Sequence, residues 1–227
     1  MGTRLKRLSL LLLLLCCAAG TAAASEIKGQ LVLGAYKAPP PDKLPRAGFN
    51  WELGNGFKEL LKDSLDAERE LAVVLLGEGE APKLERVEGR FYGGSLLPAT
   101  LVVRIGSTLR VQNEDEIAHE LVAEGLDGFG AEATSPRSIR SVNLKTAGNW
   151  PLRDRLVSHV RGHLHVLPDL IAVATIADNR FTFSDVAPGT YTLKVFHGPK
   201  ELVSQKVEVG PKPLSIDPIT LMSPDAN

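Results

Sequence analysis

The 227 residues carry 26 basic against 27 acidic side chains, a formal net charge of −1, with 44% hydrophobic and 5% aromatic residues. So even a balance sets nucleic acid and anionic membrane surfaces aside as partners, while the length suffices to bury a core without disulfide or metal staples. The two cysteines, Cys16 and Cys17, fall within the first 25 residues, which leaves the rest of the chain no disulfide, thiolate nucleophile or cysteinate metal ligand.

Residues 1–25 read as a cleaved secretory signal. "MGTRLKR" is its basic start, "LSLLLLLLCCAAG" its apolar core and "AAAS" its small-residue cleavage region near Ala24 or Ser25. Removing Arg4, Lys6 and Arg7 leaves 23 basic against 27 acidic residues, a charge of about −4. Leu15 and Cys16 stand where a lipoprotein signal needs a small residue before its cysteine, which argues against a lipid anchor. No later segment approaches the roughly 18–20 apolar residues of a spanning helix. The expectation is a periplasmic or secreted protein without membrane insertion of the mature chain.

Next, "EIKGQLVLGAY" reads as a strand with glycine boundaries. "KAPPPDKLPRAGFNWELGNG" is a proline- and glycine-rich surface excursion. "FKELLKDSLDAER" puts Phe57, Leu60, Leu61 and Leu65 on one face, which predicts a helix over 57–69. Leu71 to Leu76 form an apolar run ended by glycine, best read as a buried strand.

Beyond Pro82 the pattern is all β. Strands are predicted at 87–92, 100–105 and 108–112, then in "HELVAEG" and "RSIRSVNLKTAG", the latter alternating Ile139, Val142 and Leu144 imperfectly. "RFTFSDV", "GTYTLKVFH" and "VSQKVEV" alternate cleanly about the turns "APG" and "HGPKE". The four-proline tail at 211–227 is expected to fray or run along the surface. There is no G-x-S-x-G, G-x-x-x-x-G-K or H-E-x-x-H motif, so catalysis has no visible carrier and the chain reads as no enzyme.

Two blocks resemble known families. "VRIGSTLRVQNEDEIAHEL" is similar to the first half of a cupredoxin, a plastocyanin-like Greek-key sandwich, with a V-x-x-G-x-x-x-x-x-x-N-x-D-x-x-x-H pattern that delivers a first copper-ligating histidine at His119. "ADNRFTFSDVAPGTYTLKVFHG" resembles the carboxypeptidase regulatory-like, or transthyretin-like, sandwich, through D-x-x-F-x-x-x-x-x-x-P-G-x-Y-x-L. Exported bacterial proteins with this resemblance join both modules. It implies an all-β chain in which residues 26–81 give early regulatory-like strands with the excursion and helix. Residues 82–174 then form the cupredoxin-like domain, nested in or packed beside the regulatory-like sandwich, and residues 175–210 its hairpins.

In such relatives a C-x-x-H-x-x-M segment completes the blue-copper site, which needs a soft thiolate beside its imidazoles. Counting back without gaps from "TIADNRF", those three positions fall on Asp154, Val157 and Val160. Of the ligand set the resemblance implies, only His119 is kept. Blue copper is thereby ruled out on chemistry.

"SHVRGHLH" holds three of the five histidines. As a strand it would put His159, Arg161, His163 and His165 on one solvent-facing side and Val160, Gly162, Leu164 and Val166 on the core side. A four-residue recurrence of Leu152, Leu156, Val160 and Leu164 leaves a helix open. An H-x-H pair can chelate Cu²⁺ or Zn²⁺, with His159, His119 or Asp169 as a third donor; the alternative is a basic exposed face carrying no metal. His119 is either a relic ligand or a hydrogen-bonding turn residue beside Glu114, Asp115 and Glu116. His197 reads as a turn residue, and Trp51 and Trp150 as plugs of sandwich ends or a partner surface. The function expected is an exported, non-enzymatic binding or structural module without cofactor, its partner an envelope protein or a glycan. A histidine-based Cu²⁺ or Zn²⁺ module is the alternative.

Overall fold

A computed structural model describes residues 24–36, 65–78 and 86–222. In chain order these form β1 (Ser25–Ala35), a short helix α1 (Ala67–Glu70), β2 (Leu71–Leu76), β3 (Arg86–Phe91), β4 (Leu96–Leu97), β5 (Thr100–Arg104), β6 (Thr108–Asn113), β7 (Leu121–Val122), β8 (Ile139–Asn143), β9 (Gly148–Asp154), β10 (Arg161–Leu167), β11 (Leu170–Val173), β12 (Thr175–Ala177), β13 (Arg180–Val186), β14 (Gly189–His197), β15 (Lys200–Val209), β16 (Leu214–Ser215) and β17 (Ile219–Met222). The described residues are mostly strand, with almost no helix. The predicted leader, the proline-rich excursion with Trp51, and residues 57–64 of the predicted helix lie outside them.

Four sheets result. Two run β12-β13-β1-β16, with β17 also on β1, and β11-β2-β14-β15; the others run β4-β3-β6-β8 and β5-β10-β9-β7. The first pair shares a core that includes Ile27, Val73, Phe181, Phe183, Leu193 and Val195, drawn from both ends of the chain. The second pair shares another, including Phe91, Leu101, Leu109, Val111, Leu152 and Leu164, drawn from its middle. A small third cluster, Ala72, Val74, Leu76, Val102, Leu170 and Phe196, joins the two.

β2 explains its own sequence. Its odd residues Leu71, Val73 and Leu75 enter the first core, and its even residues enter the joining cluster, so all six are buried. A strand covered on both faces reads as a continuous apolar run, and each buried Val or Leu contributes about 1.5–3 kcal/mol.

The block "ADNRFTFSDVAPGTYTLKVFHG" is equally readable as structure. Asp178 and Asn179 both adopt positive φ in the tight turn before β13. Phe181 is buried and its ring covers Gly29 on β1, where a Cβ would stand 2.2 Å from a ring carbon. Tyr191 donates its hydroxyl hydrogen to the Ala187 carbonyl at 2.8 Å.

Several expectations need correction. "GNWPLRD" forms strand β9, and Trp150 packs from it against the second core. β9 and β10 occupy the stretch where a helix was left open, because their hydrogen-bonded register runs from Arg161 opposite Arg153 to Val166 opposite Gly148. "HELVAEG" contributes only the two residues of β7. On β8 the buried residues are Arg140 and Val142, while Ile139 is 45% exposed. The tail does not fray over its described part: β16 and β17 lie parallel to β1, and Ile219 and Leu221 are buried in the first core.

Candidate functional site

The turn between β6 and β7 presents His119, and each polar residue of its sequence pattern holds that turn. Gly106 has φ 84° in the turn between β5 and β6. Asn113, fully buried, donates from Nδ2 to the carbonyls of Ile117 at 2.8 Å and Thr134 at 2.9 Å, and its Oδ1 accepts from the Asp115 amide at 3.0 Å. Asp115 in turn accepts from the Gly93 and Gly94 amides at 2.6 and 2.9 Å. His119 is clamped further by a two-way backbone bridge to Thr134.

The imidazole of His119 has no solvent exposure. Its Nδ1 stands 2.7 Å from Asp154 Oδ2 and its Nε2 3.1 Å from Asp115 Oδ2. With a carboxylate at each nitrogen, both donate only when the ring is doubly protonated. Phe91 stacks on the ring, centroids 4.0 Å apart and planes 7° from parallel. Asp154 Oδ1 accepts from the amides of Glu120, Leu156 and Val157 at 3.3, 2.8 and 2.9 Å. One buried carboxylate thus binds His119 and caps the whole loop after β9.

Asp154 is the position onto which the thiolate of the resembled family falls. Val157 and Val160, the positions of the second imidazole and the thioether, pack against the second core. The resemblance implied absent ligands at these three positions and gave no sign that Asp154 would partner His119; a carboxylate at the implied ligand register was the available signal. Clefts of about 500 and 690 Å³ open elsewhere on the molecule, and neither is lined by His119 or Asp154.

The other histidines do not join this one. His163 and His165 share a face of β10, as alternation requires, with ring centroids 4.8 Å apart. That face is not solvent-facing: the two residues are 6% and 5% exposed. They look across the joint between the two cores, where His165 stacks on Phe196 at 4.4 Å and donates from Nε2 to the Gly198 carbonyl at 2.7 Å. β10 is therefore apolar or covered on both faces, because a second sheet pair lies over the side predicted to meet water. Gly162 is required for this: a Cβ there would stand 2.7 Å from Leu96 and 2.8 Å from the Ala99 carbonyl, which accepts from the His163 amide. His159 precedes the strand in a turn, half-buried. Among the described residues, no group of three or more His, Cys, Asp or Glu stands where it could hold a metal ion, and Asp169 is not drawn to the pair.

Two constellations had no visible signal. Arg140 is buried on β8, donates to the carbonyls of Leu121, Gly128 and Gly130 and lies over the Phe129 ring, so it gathers the loop that follows β7. His197, expected in a turn, ends β14 with Tyr36 Oη 2.5 Å from its Nδ1 and Glu70 Oε2 3.3 Å from its Nε2. Burial pushes the Glu70 carboxyl up, but hydrogen bonds from His197 and the Asp66 amide, with the nearby positive charges, outweigh it and hold the group below its ordinary range.

No family model matches the chain, and no curated protein matches it. Among solved structures, amicyanin from Paracoccus versutus matches at 16% identity, covering 42% of this chain and 97% of its own, with a TM-score of 0.34. The Cu-containing nitrite reductase of Thermus scotoductus matches at 19% identity over 40% of this chain and 25% of its own, TM-score 0.33. A purple cupredoxin from Nitrosopumilus maritimus matches at 14% identity over 36% of this chain and 99% of its own, TM-score 0.32. At such TM-scores the likeness carries no functional assignment.

Proposed function

We propose that the chain is an exported, non-enzymatic β-sandwich module of the periplasm or cell envelope, a cupredoxin relative nested in a regulatory-like sandwich, that serves as a binding or structural scaffold without copper. One observation carries this reading: the fully buried 2.7 Å contact between His119 and Asp154. A carboxylate at the thiolate position, with Oδ2 on His119 and Oδ1 accepting from three backbone amides, is committed to holding the loop and is a hard oxygen where blue copper needs a soft sulfur. The same contact disfavours acid–base chemistry at His119, because both nitrogens are occupied and the clefts open elsewhere. The early strands and the 175–210 hairpins lining one core, with residues between them lining the other, support the nesting.

The partner class is an envelope protein or a glycan, met by the outer surface of the module rather than by a cavity. Calorimetric titration of the purified protein with Cu²⁺ and with Zn²⁺ tests the reading. No uptake at micromolar metal is expected. Stoichiometric uptake that disappears in His119→Ala overturns it, and uptake that disappears only in His163→Ala moves the metal to the histidine pair.

A further inference from the structure

The joint between the two cores is thin. Six apolar residues build it, with Leu167 beside them, and the rest of the contact on its β10 side is His163 and His165. Register fixes what shares their face: Thr100 lies opposite His163 and Val102 opposite His165 on β5, while Pro151 and Asn149 take the corresponding positions on β9. A hydrogen-bond chain crosses the joint here. His165 donates to the Gly198 carbonyl, the Gly198 amide donates to Thr100 Oγ1 at 2.8 Å, and Thr100 donates to the Glu70 carbonyl at 2.5 Å. Thus β10, the turn after β14, β5 and α1 are tied through a single hydroxyl.

The pair inside this joint is built for the neutral state. His163 Nε2 is buried with no hydrogen-bond partner among the described residues. Strand register puts Arg161 on β10, Arg104 on β5 and Arg153 on β9 on the same face as the pair, and β15 places Glu201 opposite Phe196. Glu201 is engaged by Lys194 at 2.7 Å, and Glu70 on α1 by His197 at 3.3 Å. A proton added to either imidazole therefore enters a dry site with another imidazole 4.8 Å away and, among the described residues, no carboxylate in contact with either ring.

We propose that His163 and His165 form an acid-operated latch: protonation of the pair loosens the joint between the two cores and uncovers the Phe196 and Val102 faces that it seals. Geometry makes the latch local, since a carboxylate meets each nitrogen of His119 whereas neither imidazole of the pair touches one. The direction of titration agrees. Burial, then the neighbouring His165, lower His163 from 6.5 to about 4; burial also lowers His165, against the pull of its bond to Gly198. A histidine depressed in the folded state binds its proton first when the joint opens. The stability it supports is complete above about pH 6.5 and falls as pH drops toward about 4.

Two measurements on the purified protein decide this. Histidine ring NMR of the folded wild type is expected to leave His163 neutral at pH 5.5; a His163 that titrates in the ordinary range near 6.5 overturns the latch. Amide hydrogen exchange, corrected for the intrinsic pH dependence, is expected to accelerate roughly tenfold or more at Gly198 and His163 between pH 7.5 and pH 5, with Val111 and Val142 in the second core unchanged. His163→Leu removes most of that acceleration. Equal acceleration in both cores, or an acceleration that persists in a folded His163→Leu, refutes a latch at the joint. If the leucine variant fails to fold, His163→Gln carries the same test.

Discussion

Two buried histidine centres lie in this molecule, and they are opposite in electrostatic design. His119 is enclosed with a carboxylate at each nitrogen, so its burial is compensated and the ring is a strut. His163 and His165 are enclosed with each other, a phenylalanine and one carbonyl, so their burial is stable only while they are uncharged. Equal burial therefore says little about a histidine's role. The lone pairs and charges that meet its nitrogens decide what holds it in place.

The largest effect is expected where the compensated centre loses a partner. Asp154→Ala leaves a buried imidazole nitrogen and three amides without their charged acceptor, and breaking such a buried network costs about 3–5 kcal/mol. Urea unfolding at pH 7 measures it. His163→Leu, at an equally buried site, is expected to cost under about 1.5 kcal/mol, because a neutral ring with an idle nitrogen gives way to a hydrophobe of comparable size. Equal losses for the two substitutions would erase the distinction between strut and latch.

Arg140→Met comes next, at about 2–4 kcal/mol, since the carbonyls of Leu121 and Gly130 lose a charged donor inside the second core. Its effect should be flat in pH from 7.5 to 5, which separates a fixed charge from a titrating one. Gly162→Ala follows at about 1–3 kcal/mol, from the collision with Leu96 and the Ala99 carbonyl that closes β10 onto β5. Thermal unfolding compares the two.

The contrast between the centres was half legible in the sequence. Strands with clean alternation, such as Arg180–Val186 and Gly189–His197, were readable because one face meets the core and the other water. β10 was misread for the same reason: its polar-apolar alternation is real, but a second pair of sheets covers the polar side, and coverage by distant residues leaves no local mark. His119 stood out because its turn is built from neighbours, Asn113 and Asp115 among them. Its bond to Asp154 spans 35 residues and showed only as a displaced ligand position. Arg140 was hidden because a buried arginine satisfied by loop carbonyls looks, in sequence, like any solvent-facing one.

The smallest expected effect is also the sharpest check on the latch. Glu201 is the carboxylate that β15 brings to the joint, and Lys194 holds it at 2.7 Å with both side chains partly exposed. Glu201→Gln removes a half-exposed ion pair, which is worth about 0.2–1 kcal/mol before solvent screening reduces it. Neither imidazole touches this carboxylate, so neutralising it should leave the acid dependence of exchange at Gly198 where it was. Were Glu201 the hidden counter-charge of the pair, the same substitution would shift the onset of opening to higher pH, because the protonated rings would lose their only support. An unshifted onset alongside a small, pH-independent loss of stability is the outcome that keeps the joint apart from the carboxylate-clamped His119.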